Sequence, residues 1–450
     1  MSACVYVVHC IDTEGPLYES LDATFERLNH ALGLQLKPDR ETLRKIQAGD
    51  LDLGAKTKSA RVMVEPALLA CMEDWGQLDE MLEDLLSAPY RARFSDSTNA
   101  GWVFSWFILD HVGYLVNPRR RDIGYHNIFD HYRRKLEETS SHQDEIHWHF
   151  HPMSHTREAH VCATSYLNSP QLLEGLARRI IDRQWFPVAF RAGFHTERPD
   201  SHWFLEQWIP LDYSNQGMPE AELEREQQDI SGGRFGDWRR APSNWTAYHP
   251  SHDDYQIPGE CNRVIFRCLN VGTRLRLLTQ YEVDRAFQMA QSGTPAVLAF
   301  CNHDWRDMRR DVQQVHSLLN NAAGRFAGVE WKSVGARQAA RSVLGWNSEA
   351  VIHISHTLEV WENGGRLTID TDCPTFGPQP FLAIKTWDQR YLTDNFDVQV
   401  PRRRWTYTFD RETVRLPAIE LIGIAVTAGN ASCAVLVIDS KGVIRSAQHY

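Results

Sequence analysis

His-Phe-His-Pro-Met-Ser-His, residues 149–155, puts three imidazoles into seven positions. Neutral imidazole nitrogens bind divalent metals at about 2 Å, usually beside a carboxylate. With 20 histidines in 450 residues, one cluster means little until a carboxylate partner is found elsewhere. Asp12 and Glu14 supply one: two acids, two positions apart, where the first apolar run ends. One could bind a metal while the other takes a proton from a metal-activated water. Two imidazole pairs fit: His151 with His155 beyond a strand end, or His149 with His151 on one strand face. Arg191, directly after "PVAF", could pair with the base and orient it. His303, in "AFCNHDW", closes another apolar run and could act as a general acid.

These residues need elements to hold them. In "EIHWHFH" the alternation places Ile146, Trp148 and Phe150 on one strand face and His147, His149 and His151 on the other. In a barrel wrapped by helices the apolar face turns outward, so the histidines turn inward. His151 then lies nearest the C-terminal end, where barrel active sites form. Pro152 stops that strand and leaves His155 in the loop above. Strands are expected at 4–11, 101–114, 145–151, 186–190, 209–214 and 295–302. Helical patterns lie between several of them, at 125–140, 169–184 and 202–208, with another at 311–326. Strands alternating with helices imply a parallel sheet or barrel. After about 345 the pattern changes to "HTLEVWENGGRLTIDTD", a hairpin, followed by "FLAIKTW", "RWTYTF", "LIGIAVTA" and "CAVLVID". Residues 345–450 therefore read as a C-terminal antiparallel β-sandwich. Residues 20–95 read as charged and helical, within a first domain spanning 1–340.

Composition excludes several classes. A formal charge of −10 disfavours a nucleic-acid or anionic-membrane partner. Fifteen Trp and nineteen Phe argue for a packed core and against disorder. No run of about 18 apolar residues offers a membrane span, and no signal peptide is expected at the N-terminus. Nine scattered cysteines without a C-x-x-C pair suit a reduced, cytoplasmic protein. "YHPSHDDY" (248–255) reads as a solvated loop, and "SGGRFG" (231–236) as a loop with no phosphate-binding context.

Taken in order, "IDTEG" (11–15), "HPMSH" (151–155), "FRAGF" (190–194), "LDYSN" (211–215) and "LAFCNHD" (298–304) resemble the motifs of NodB-type polysaccharide deacetylases, in a divergent Asp-x-Glu branch. The resemblance covers about 1–335, and "DWRRAPSNWTAYHP" (237–250) is similar in style to a substrate-side loop. It implies an irregular (β/α) barrel, with residues 20–100 as a helical insertion between the first two motifs, and a divalent metal, zinc being the expected one. It also implies hydrolysis of acetyl groups on a sugar or polysaccharide precursor. By that resemblance Asp12 is the base, Glu14, His151 and His155 are metal ligands, and Arg191 and Asp212 support base and acid. His303 is the proton donor. The sequence departs from the commoner pattern where Thr13 separates the two acids and where Gly193 replaces a usual proline. It also carries an "HxHP" form that offers His149 with His151 as the ligand pair. Two competing readings are an amidohydrolase-like metal enzyme using His149 and His151, and a non-catalytic carbohydrate-binding or scaffolding protein. A homo-oligomer built through the C-terminal β domain is a further expectation.

Overall fold

The computed structural model describes residues 3–110, 115, 117, 124–152, 156–157, 166, 169, 171–219, 236–273, 275–347 and 350–450. Seven strands close a parallel barrel: β1 (Cys4–Thr13), β2 (Phe104–Asp110), β3 (Glu145–Phe150), β4 (Ala189–Ala192), β5 (Leu211–Asn215), β6 (Val264–Asn270) and β7 (Ala296–His303). The ring is closed by β1, which pairs with β2 on one side and β7 on the other. An eighth strand, β8 (Glu330–Ser333), pairs with Cys4–Val7, whereas His9–Thr13 pair with β2. The start of β1 therefore leans on β8 and its end on β2, which makes the closure irregular. Every residue of β2, β4, β5 and β6 is buried, as parallel strands covered on both faces require.

The segment between β1 and β2 is helical. Leu21–Leu32, Arg40–Ala48, Trp75–Leu85 and Ala88–Arg93 start at Ser20, Asp39, Asp74 and Ser87, whose side chains accept backbone N–H groups of the first turn. The outer helices share a small core of Phe25, Leu28, Ile46, Ala60 and Val64. Leu78, Met81, Leu82 and Leu85 instead join the core of the barrel. This inner helix is thereby fixed against the barrel.

The chain ends in two antiparallel sheets. One contains β9 (Ile354–Trp361), β10 (Gly364–Thr371), β13 (Asp397–Val400) and β14 (Arg404–Phe409). The other contains β11 (Phe381–Thr386), β12 (Tyr391–Asp394), β15 (Ile419–Thr427), β16 (Cys433–Asp439) and β17 (Ile444–His449). Leu367, Ile369 and Trp405 meet Leu382, Ile384, Ile422 and Ile424 in a common core. The alternate residues Phe381, Ala383 and Ala425 turn the other way and share a core with Leu176, Ile180 and Ile181 of the barrel helix Gln171–Arg183. No helix among the described residues is long and apolar enough to cross a membrane, and the eight described cysteines form no disulfide.

His9 shows how the β1–β7 seam depends on protonation. Trp102 Nε1–H donates to its Nδ1 at 3.1 Å, so its Nε2–H donates to Asn302 Oδ1 at 2.9 Å. Phe300 stacks on the ring at 4.4 Å. Burial lowers its pKa from 6.5 to about 4. Between those values the unfolded chain binds the proton and the folded chain does not, so stability falls as pH falls. Lowering the pH from 6.5 to 4 is expected to cost about 3 kcal/mol at this residue. Chemical denaturation across that range should show a flatter pH dependence in His9→Gln than in the wild type.

Candidate metal centre

Strand register brings the chemistry to one end of the barrel. Asp12 on β1 is level with His303 on β7, and His149 on β3 is level with Arg191 on β4. Glu14 lies one residue past β1, and His151 one residue past β3. Glu14 Oε1 stands 3.1 Å from His151 Nε2 and 3.7 Å from His149 Nε2, and the two Nε2 atoms are 3.0 Å apart. A tetrahedral ion with ligand bonds near 2.05 Å spaces its ligand atoms about 3.3 Å apart. The three side chains thus fit around one ion, and all are buried. Among the described residues this group could hold a divalent metal. His149 Nδ1 lies 2.9 Å from the carbonyl oxygen of Arg191. Only a protonated Nδ1 can make that bond, which leaves the Nε2 lone pair facing Glu14 and His151. Fixing the tautomer of a metal-binding imidazole through its other nitrogen is what a ligand of this kind requires.

Beside this group lies a buried ion pair. Arg191 donates from Nε to Asp12 Oδ1 at 2.6 Å and from Nη2 to Asp12 Oδ2 at 3.1 Å. It also donates to the Tyr213 carbonyl and, from Nη2 at 3.3 Å, to His195 Nδ1. Burial pushes the Asp12 pKa up, but the charge and hydrogen bonds of Arg191 outweigh it and hold the carboxyl well below its ordinary value. His303 Nε2 is 4.0 Å from Asp12 Oδ2. Burial lowers the His303 pKa to about 4 against the weaker pull of Glu14 and Asp12.

Two residues that carried no role in the sequence reading position the ligands. Asp304 accepts the backbone N–H of Glu14 at Oδ1 and of Gly15 at Oδ2, both at 2.8 Å, and the Tyr132 hydroxyl at 2.7 Å. Its pKa is raised to about 7, chiefly by burial. The loop carrying Glu14 is thereby tied to β7 and to the helix Asn127–Glu138. Gly15 turns with φ +72° under Trp75, so the inner insertion helix closes the same loop. Gly193 makes room for a ligand: a Cβ there would lie 2.3 Å from His151 Cδ2. Proline or alanine would drive the imidazole out of place, which explains the glycine at this position. The residue after His303 and the glycine after Ala192 were the available signals, but neither reveals its partner in the sequence.

Asp212 requires a correction. It sits on the face of β5 opposite Tyr213, whose ring turns into the barrel towards Phe107 and Phe266. Its carboxylate accepts from Arg263 and from the Ser214 N–H. Arg263 in turn holds Glu197 and His202. Asp212 belongs to that buried cluster behind the strand, and its hydrogen bonds reach neither Asp12 nor His303. One residue of pleat separates the two faces. His155 lies outside the described residues; among those that are described, the ligand group is Glu14, His149 and His151. His249 and His252 are exposed and bonded to the Cys261 carbonyl and to Asp253. In comparisons with known proteins the chain matches no family model and no curated protein.

Two substitutions check this construction. Gly193→Ala is expected to lower bound zinc per chain to below half of the wild-type value, measured by atomic emission after dialysis. Asp304→Asn puts an amide against a backbone N–H and should weaken zinc affinity about 10- to 100-fold in a competition titration.

Proposed function

We propose that the chain is a metal-dependent hydrolase of the polysaccharide-deacetylase type, removing an acetyl or related acyl group from a sugar or polysaccharide precursor. The observation that carries this reading is the Glu14–His149–His151 group, spaced for one ion and adjoining Asp12, Arg191 and His303. Two imidazoles and one carboxylate suit zinc. When bound there, the ion would polarise the acyl carbonyl and make water acidic near neutral pH.

The protein's own groups then handle the protons. Arg191 holds Asp12 ionised and fixes both carboxylate oxygens, which orients Asp12 towards an attacking water. The same charge makes Asp12 a weak proton acceptor. His303 is neutral at pH 7, and its Nε2 is the stronger base 4.0 Å away. The proton leaving the water therefore comes to rest on His303 Nε2, which returns it to the departing amine or alcohol. General acid–base transfer of this kind contributes about 10²- to 10⁴-fold.

A second reading, an amidohydrolase-like enzyme, is favoured by the His149–His151 pair. The two readings share the water chemistry and differ in substrate.

The test uses the full chain, stripped with chelator and reloaded with zinc. Acetate release is measured from acetylated xylan, N-acetylglucosamine oligomers and 4-nitrophenyl acetate. One zinc per chain is expected, with zinc-dependent release that falls about 10²- to 10⁴-fold in His303→Ala. A chain that binds no zinc, or a zinc-loaded chain inert on all three compounds, would remove the proposal.

A further inference from the structure

His195 has a place at this centre that the reaction described above does not use. It follows β4 directly, where Phe194 and His195 both adopt left-handed backbone, with φ of 54° and 53°. Two consecutive non-glycine residues in that region cost conformational free energy and persist only where the surroundings impose them. The surroundings here are specific. Trp238 Nε1–H donates to the His195 carbonyl at 2.8 Å. Gly236 N–H donates to the Phe194 carbonyl at 3.1 Å, and a Cβ on Gly236 would lie 1.6 Å from His195 O. The turn places the Phe194 ring edge-on to the ligand His151 at 4.7 Å. It also sets the His195 ring against Arg191, with Asp12, His303 and Arg276 as its other charged or titratable neighbours.

The tautomer follows from one contact. Arg191 Nη2 can only donate, so His195 Nδ1 accepts, at 3.3 Å. Arg191 Nη2 also donates to Asp12 Oδ2, which places the imidazole in the same cluster as Asp12. The neutral ring must then carry its proton on Nε2, and that nitrogen has no hydrogen-bond partner among the described residues.

We propose that His195 is a catalytic residue whose Nε2–H hydrogen-bonds the acyl oxygen of the substrate as negative charge develops there. The proton stays on His195 throughout, and no bond to the ring forms or breaks. A neutral imidazole that presents its N–H to a developing oxyanion is a preorganised donor. The inference rests on the hydrolase reading, and its test is arranged to fail separately from it.

Two measurements decide it. In the ¹⁵N-histidine-labelled full chain at pH 7.5, long-range ¹H–¹⁵N correlations, assigned by loss of signal in His195→Gln, are expected to show His195 neutral with its proton on Nε2. An Nδ1–H tautomer or an imidazolium overturns the proposal, and this arm needs neither metal nor turnover. In the zinc-loaded chain, calorimetric binding of methylphosphonate, a tetrahedral oxyanion, is expected to weaken about 10- to 100-fold in His195→Phe. It should stay within about 3-fold of wild type in His195→Gln, which keeps an acceptor for Arg191 and a donor beyond it, with one zinc per chain in all three proteins. Equal binding by wild type and His195→Phe, or no binding by wild type, overturns the proposal. If methylphosphonate binds as expected while no ester or amide is hydrolysed, the hydrolase reading falls and the donor role of His195 stands.

Discussion

A guanidinium with no exposed surface sits at the mouth of the barrel, and the groups around it are arranged to satisfy it. Arg191 is bound on every side by Asp12, the Tyr213 carbonyl and His195. Breaking a buried pair of this kind by removing one partner costs about 3–5 kcal/mol. Asp12 is therefore held ionised and immobile before any substrate arrives. The backbone carbonyl of the same Arg191 fixes the tautomer of His149. One residue thus sets the charge of Asp12 and the direction of a metal-ligand lone pair.

The second constraint is how Glu14 is held. It lies beyond the last hydrogen bonds of β1, where a loop would ordinarily move. Asp304 takes both of the loop's backbone N–H groups and is itself bound by Tyr132. Trp75 packs over Gly15. Trp75 lies 4.0 Å from the ring of His131, which binds Asp79 at 2.7 Å. The inner insertion helix, the helix Asn127–Glu138 and β7 therefore converge on a two-residue segment. The insertion's outer helices keep a small core of their own, so changes there need not reach the site. The β sheets at the chain's end are coupled to the barrel through Ile180 and Ile181, far along the sequence from any ligand.

Much of the architecture was legible because it rests on local pattern. The alternation in "EIHWHFH" placed three histidines on one face, and β-branched runs marked β1, β2 and β7. Other elements were hidden by single residues. β6 was overlooked because Arg267 interrupts its apolar run. The structure buries that charge against Glu282 at 2.6 Å and over the Trp245 ring at 4.5 Å, a compensation that only folding supplies. β8 is four residues long, with two charged residues among them, so it has too little period to be recognised.

The amino-acid sequence by itself determined the donor types, their order and their strand faces: Asp12 and Glu14 after one strand, imidazoles along another, Arg191 and His303 at two more. Residue type and a two-residue period suffice for that. Only the tertiary structure decided which of them share a centre. Barrel closure brings Glu14 to His149 and His151, and Asp212 faces outward to Arg263. Asp304 gains its role from Glu14 and Tyr132, 290 and 172 residues away, Gly193 from the room it leaves for His151, and His195 from Arg191 and Trp238. Such contacts depend on the relative stagger of parallel strands, and no stretch of a single strand encodes that quantity.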